Sequence, residues 1–168
     1  MLHVIMHTVA DWPKMPNRWA TIGAGLEATC RRAGAAYEEA AAEPSVEKLH
    51  EWRKQAKYLR YQLEILTPIW SERMGELAGE AAKMGELLGD DNDLAVLRQM
   101  LIDDPDRFGD TSDQEALLAL IDRRRAELMQ EAVLLGQRFF QDRPREFVRH
   151  LKGYWKSWND ALEPPLKV

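Results

Sequence analysis

The chain has 168 residues, of which 45% are apolar and 30% are charged, a composition typical of one globular domain with its own core. Its formal net charge of −5 argues against a protein that coats nucleic acid indiscriminately, so any anion site is expected to be a local basic patch. The single cysteine, Cys30, cannot form an internal disulfide, which fits a cytoplasmic location. No window approaches the roughly 18 uncharged apolar residues of a membrane span, and the N-terminus lacks signal-peptide features.

The first half of the chain predicts a lead-in segment and two helices. Prolines interrupt residues 1–17, so this segment is expected to lead into the domain, with Trp12 packed on its body. A helix is expected from about residue 17 to 41, and Ser45 is a natural N-cap for a second helix that reaches about residue 67. The apolar positions of these helices are Trp19, Ile22, Leu26, Cys30, Ala33 and Tyr37, then Leu49, Trp52, Ala56, Leu59, Leu63 and Leu66.

The second half predicts four more helices. One runs from about residue 69 to 88 and ends at Gly89, and the acidic cluster Asp90, Asp91, Asn92 and Asp93 then opens a short helix over 94–102. A polar loop follows at 103–113, then a long helix over 112–140 and a last helix from Pro144 to about residue 158. The long helix is expected to bury Leu117, Ile121, Leu128, Leu135 and Phe139. With no strand pattern, the prediction is an all-α antiparallel bundle of about six helices over residues 18–160, followed by a tail at 161–168.

The second helix carries the most informative pattern of the chain. Four fixed cations and one imidazole recur at helical spacing on the side away from the predicted core: His50, Arg53, Lys54, Lys57 and Arg60, here called the basic stripe. Glu51 and Glu64 flank this stripe. A long polyanion would use the whole row, whereas an isolated phosphate would use only one or two of its groups. The alternative is that these cations form an ordinary solvated helix face, and the sequence favours neither interpretation over the other.

The last helix repeats this theme. Its cations fall within a narrow sector beside aromatic residues: Arg145, Arg149, Lys152 and Lys156, here called the second stripe. If the bundle brought both stripes to one groove, opposed rows of arginine and lysine would hold phosphate oxygens from two sides. The sequence leaves open whether they share a groove.

Catalytic and metal-binding patterns are weak. His50 has no second ligand at metal-binding spacing on its face, so a structural role is the simpler interpretation. The acidic residues 90–93 invite a Mg²⁺ or Ca²⁺ site but lack the spacing of a calcium loop, and helix capping by Asp90 or Asp93 is favoured. The arginines 123–125 point in different directions and indicate mostly a solvated face. With neither a nucleophile beside a base nor a phosphate loop, no enzyme and no cofactor are expected.

Two segments, LHEWRKQAKYLRYQLEIL at 49–66 and LGDDNDLAVL at 88–97, together resemble the CHAD domain, the conserved histidine α-helical domain. The resemblance covers about residues 20–158 and places the family's H-x-x-R-K-x-x-K-x-L-R pattern on the basic stripe and its acidic position on Asp93. It implies a helical protein that binds inorganic polyphosphate along a basic surface and sometimes accompanies polyphosphate granules. The region of Arg31 and Arg32 resembles a further basic helix of the family, although an arginine often seen further on is Ala35 here.

The main departure from the family is length. Family members usually carry two related helical bundles, each with its own H-x-x-R helix, whereas this chain has one and looks like the C-terminal half. This suggests that two copies associate so that their basic stripes line one groove.

The expected function is therefore non-catalytic binding of inorganic polyphosphate, with no membrane partner and with nucleic acid disfavoured. Two alternatives stay open. One is a metal-dependent phosphohydrolase or phosphotransfer domain that uses His50 and the acidic residues 90–93. The other is a bundle whose basic stripe meets an acidic protein.

Overall fold

A computed structural model describes residues 18–162 of the chain, apart from the side chain of Asp106. These residues form five α-helices and two single 3-10 turns, at Thr67–Ile69 and Pro105–Arg107, and they contain no β-strand. The helices are α1 (Trp19–Ala42), α2 (Val46–Ile65), α3 (Ser71–Asp103), α4 (Thr111–Phe139) and α5 (Pro144–Leu162). The all-α prediction is confirmed. The predicted lead-in at 1–17 and the tail from 163 onward lie outside the described residues, and α5 continues through the first two residues assigned to that tail.

The helix starts follow local chemistry. The Ser45 hydroxyl accepts a hydrogen bond from the backbone N–H of Lys48 at 3.2 Å, the N-cap predicted for α2. Asp110 caps α4 in the same way, accepting from the N–H of Asp113 at 3.0 Å. Pro144 opens α5 at a position where its missing N–H costs no helical hydrogen bond.

The structure has five helices rather than six because α3 is continuous through Gly89 and the acidic residues 90–93. The predicted helix end at Gly89, and the capping roles of Asp90 and Asp93, are therefore wrong. Gly89 is a packing residue: a Cβ there would lie 3.3 Å from Nε and Nη2 of Arg53. Close contact with α2 explains the glycine, and tertiary packing overrides its weak helix propensity.

The core lies at the centre of a four-position bundle. The helices α1, α2 and α3 occupy one position each, and α4 and α5 together occupy the fourth. Around the bundle, α2 packs between α1 and α3, α4 packs on α3, and α5 packs on α1. Trp52 of α2 is fully buried at the centre, 5.2 Å from the ring of Tyr37. Two aromatic pairs dock α5: Trp19 with Trp155 at 6.0 Å, and Trp70 with Tyr154 stacked at 4.0 Å.

All six residues predicted to be the buried side of α2 are buried, from Leu49 to Leu66. The prediction is wrong for Leu117 of α4, which is 38% exposed. Arg53 of α2 lies opposite Gly89 of α3, and the two helices are antiparallel. Because α2 begins at Val46, seven residues before Arg53, it extends along α3 only to about residue 96. Beyond that level α3 and α4 form a two-helix arm, in which Leu101 and Ile121 are buried outside the main core cluster.

Among the described residues, no helix is both long enough and apolar enough to cross a membrane.

Candidate functional site

The basic stripe borders a groove between α2 and α3. The groove has a volume of about 250 Å³, and three stripe cations line it from α2: Arg53, Lys57 and Arg60. They come together because residues three and four apart lie on the same side of a helix. The groove therefore presents three fixed cations in one row.

The α3 side of the groove has a floor of small residues. Ala81, Ala82, Gly85 and Gly89 line it, and the Arg53 guanidinium lies directly over Gly89. This contact covers Nε of Arg53, which is buried without a hydrogen-bond partner in the described part of the chain. A buried donor without an acceptor is costly, so the position of Arg53 favours an added acceptor or water at this point.

The far wall of the groove is acidic. Glu86, Asp90 and Asp93 of α3 line it, spaced four and three residues apart on one helix face. Within residues 18–162, no ion pair joins these carboxylates to Arg53 or Lys57. The groove therefore combines three cations with three carboxylates, so its charged lining sums to zero although the stripe itself is cationic.

Two cations of the stripe already have carboxylate partners on their own helix. Lys54 forms an ion pair with Glu51, and Arg60 donates from Nε to Glu64 at 2.7 Å. These hydrogen bonds raise the pKa of Lys54 and of Arg60 and lower the pKa of Glu51. Exposed pairs of this kind contribute little to stability. Among the described residues, the stripe therefore has two cations with an ion pair, Lys54 and Arg60, and two without one, Arg53 and Lys57.

His50 is exposed and is not part of the groove lining. Asp91, one of the acidic residues proposed for a metal site, is 4% exposed and accepts from Nε of Arg125 at 2.9 Å. Arg125 is thus held by a buried carboxylate, while Arg123 and Arg124 pair with Glu127 at the surface. Among the described residues, no group of three histidine, cysteine or acidic side chains is arranged to hold a metal ion.

Arg31 and Arg32 lie away from the groove, on the exposed side of α1. Arg32 donates to the Thr29 hydroxyl at 3.1 Å, and Gln62 of α2 donates to the same hydroxyl at 2.9 Å. This junction is on the flank of α2 that faces α1, opposite the flank that carries Arg53. The structure therefore does not join Arg31 or Arg32 to the α2–α3 groove.

The second stripe borders a different groove. Arg145, Arg149 and Lys152 line it together with Arg143, Glu146 and Val148 of the same segment and Glu27 of α1. Lys156 is exposed one turn further along α5. Because α5 packs on α1 and the basic stripe faces α3, the two stripes lie on opposite sides of the bundle. They do not line a common groove.

The sequence pattern identified the cationic wall of the groove but missed the acidic wall. The signal was present, since Glu86, Asp90 and Asp93 recur at helical spacing. A helix end at Gly89 places Glu86 and Asp90 on different helices, so the prediction did not bring these carboxylates together.

The two segments that resemble a known family form the two walls of this groove: the basic stripe on α2, and the Gly89-to-Asp93 turn on α3. The family model of the CHAD domain matches residues 3–102, which is more than half of the chain. The chain belongs to the CHAD-domain family. The matched region starts within the predicted lead-in segment and ends in α3, so α4 and α5 lie outside it. No curated protein and no solved structure matches the chain significantly.

Proposed function

We propose that the protein binds inorganic polyphosphate, or a similar phosphate polyanion, along the basic stripe without catalysing a reaction on it. One observation carries the proposal: Arg53 and Lys57 lie one helical turn apart at the groove without an ion pair to any carboxylate of residues 18–162, on the segment that the family model covers. Family membership supports polyphosphate as the ligand. The guanidinium of Arg53 suits forked contacts with phosphate oxygens, and Lys57 adds a point charge.

The acidic wall limits where such a polymer lies. A polyanion deep in the groove would approach Glu86, Asp90 and Asp93, so the favourable path follows the outer edge of α2 past Lys57 and His50. Binding energy then comes mainly from Coulombic attraction and released counterions, by analogy with nucleic-acid backbones. Affinity is expected to rise with polymer length and to fall steeply with salt.

The test compares two double variants that remove equal charge from the same helix. Arg53→Ala with Lys57→Ala removes the two cations that lack an ion pair among the described residues, and Lys54→Ala with Arg60→Ala removes the two that are paired. Calorimetry with long polyphosphate at moderate salt is expected to show at least a tenfold loss of affinity at the basic stripe for the first variant and a clearly smaller loss of affinity for the second. Far-UV circular dichroism checks that both remain helical, because none of the four residues belongs to the core.

Equal losses in the two variants would mean that binding follows net charge alone, and the basic stripe would not be a defined site. Unchanged binding by the first variant would refute the proposal outright. Duplex DNA serves as the comparison polyanion and is expected to bind more weakly, since no nucleic-acid motif accompanies the stripe.

The non-catalytic part of the proposal is tested separately against a phosphohydrolase. The exposed position of His50 outside the groove supports a contact role rather than an acid–base role. Incubation of polyphosphate with the protein and Mg²⁺ is expected to release no phosphate. Phosphate release that is lost in the His50→Ala variant would instead support a metal-dependent phosphohydrolase.

Pairing of two copies forms part of the same proposal. The arm exposes apolar side chains past the end of α1 and α2: Val96, Met100, Leu117 and Leu120. We propose that a second copy of the chain covers these side chains, because pairing would remove their apolar surface from water. Sedimentation showing only monomer at micromolar concentration, with and without polyphosphate, would exclude the dimer.

We place the protein in the cytoplasm, in association with polyphosphate granules. A fluorescent fusion is expected to co-localise with stained polyphosphate, and the variant without Arg53 and Lys57 is expected to show weaker co-localisation. If the stripe instead binds an acidic protein, polymer length will not affect binding.

A further inference from the structure

The second stripe on α5 differs from the basic stripe in the surroundings of its cations. All four of its residues are exposed, and none has an ion pair within residues 18–162, nor does the adjacent Arg143. Elsewhere in the described chain, nine cations form ion pairs with carboxylates. Five uncompensated cations therefore lie within fourteen consecutive residues of a protein whose overall charge is negative.

The lining of the α5–α1 groove is also more positive than that of the α2–α3 groove. Arg143, Arg145, Arg149 and Lys152 face only Glu27 and Glu146, a balance of four cations to two carboxylates. The α2–α3 groove has three of each. With a volume of about 540 Å³, the α5–α1 groove is also the larger of the two. A local positive potential on an acidic protein attracts anions selectively to that place.

The position of α5 makes this surface separate from the proposed binding site. The α5 helix packs on α1 and the α2–α3 groove lies on the other side of the bundle, and the two groove linings share no residue. A short anion cannot contact both surfaces at once. A long one bound at one surface has a free portion that reaches the other surface of a neighbouring molecule.

We infer that the second stripe is an independent binding surface for phosphate polyanions, so that each chain carries two such surfaces on opposite sides and long polyphosphate links protein molecules together. The inference rests on the proposed function for the identity of the ligand. It extends that function from binding to polymer-driven assembly, through a helix that the family match does not include.

The test uses the full chain, two polyphosphate lengths and three variants. The α5 variant replaces Arg145, Arg149, Lys152 and Lys156 with Ala, and the groove variant replaces Arg53 and Lys57 with Ala. The charge-matched control replaces Lys83, Arg123, Arg124 and Arg138 with Ala, which are four exposed cations away from both grooves. Calorimetry with short polyphosphate counts the sites, and light scattering with long polyphosphate measures assembly.

The wild-type chain and the control are expected to bind two equivalents of short polymer, and the α5 and groove variants one equivalent each. Long polymer at a low polymer-to-protein ratio is expected to produce larger assemblies with the wild-type chain and the control than with the α5 and groove variants, because each chain of those variants has only one surface. Helical content by circular dichroism is expected to be unchanged, since all replaced side chains are exposed or partly exposed.

An α5 variant that behaves like the wild-type chain would overturn the inference and leave the proposed function intact. A groove variant with no remaining binding would also overturn it, because the second stripe would then not bind by itself. If the control variant loses as much binding and assembly as the α5 variant, net charge alone determines polyphosphate binding and the inference is overturned. Binding of duplex DNA at the second stripe without binding of polyphosphate would assign this surface to a different ligand.

Discussion

The two basic stripes look alike in the sequence and differ in the folded chain. Each is a row of cations at helical spacing, but the stripe on α2 faces three carboxylates of α3 and uses two of its cations in local ion pairs. The stripe on α5 faces two carboxylates, Glu27 of α1 and Glu146 of its own helix, and none of its cations has an ion pair within residues 18–162. The electrostatic character of a helix face therefore depends on the neighbouring helix as much as on the face itself.

The stripes also differ in the support beneath them. The α2 stripe is built on a helix whose other side contains the fully buried Trp52 and Leu59. The α5 stripe is built on a peripheral helix that buries only Val148 and Leu151. The α2 surface therefore has more buried side chains beneath it, and the α5 surface depends on docking at the Trp19 and Trp70 rings.

The largest expected effect comes from breaking the core under the α2 stripe. A Cβ at Gly136 of α4 would lie 2.6 Å from the Tyr37 ring and 3.0 Å from Trp52. Gly136→Ala is therefore expected to reduce the free energy of unfolding by about 1–3 kcal/mol. Urea denaturation followed by circular dichroism measures it.

The matched control is Gly153→Ala on α5, where a Cβ meets nothing within 4 Å. Ala has the better helix propensity, so this variant is expected to gain up to about 1 kcal/mol. Equal stability of the two variants would show that α1, α2 and α4 are not in close contact at Gly136.

The second prediction removes the carboxylates that distinguish the two stripes. Glu86→Gln, Asp90→Asn and Asp93→Asn together are expected to tighten polyphosphate binding at the α2 stripe about tenfold at low salt. At a separation of roughly 8 Å, each carboxylate repels a phosphate by about 0.5 kcal/mol in a water-like dielectric. Calorimetry in the background of the α5 variant isolates this surface.

The control for charge replaces Glu38, Glu39 and Glu115 with Gln, three exposed residues outside both groove linings. It is measured at the same salt concentration as the Glu86 variant and is expected to change affinity by less than a factor of about three, because these carboxylates do not line the groove. A loss of affinity in the Glu86 variant would show that the acidic wall assists binding instead of opposing it.

The smallest expected effect reports the docking of α5. Cys30 lies beside Phe139, Phe140 and Phe147 in a cavity of about 40 Å³, and burial raises the pKa of its thiol from 9.0 to about 12. Alkylation at pH 8 is expected to be slow in the native protein and several times faster in Phe147→Ala, which loosens α5. The variant without Arg53 and Lys57 is expected to label at the wild-type rate.

The sign of the pH dependence follows from the same shift. The folded state favours the neutral thiol, so its contribution to stability is present below pH 9 and is lost as the pH rises from about 9 toward 12. Native labelling at pH 8 as fast as labelling in urea would show that Cys30 is not protected by α5.

Much of the fold was predictable because it depends on local patterns. The period of Leu49, Trp52, Ala56, Leu59 and Leu63 identified the buried side of α2, and all five are buried. The prediction was wrong at Gly89, where helix propensity and packing disagree. It was also wrong at Leu117, because the sequence does not tell how far a neighbouring helix extends.

The candidate site was predictable in part for the same reason. The row of stripe cations follows from helical spacing on one element, so Arg53, Lys57 and Arg60 were found together. Their relation to Glu86 and Asp93, and the separation of Arg31, Arg32 and the second stripe from the groove, depend on helix order around the bundle. Helical periodicity contains no information about that order.

The sequence alone determined that the chain is helical, which side of each long helix is apolar, and which segments place it in the CHAD-domain family. These features depend on residues within a few turns of one another. The tertiary structure decided that α3 runs unbroken through Gly89, that carboxylates face the basic stripe, and that α5 carries its cations to the opposite side. Those outcomes depend on contacts between residues far apart in the chain, which form only when the helices pack against a common core.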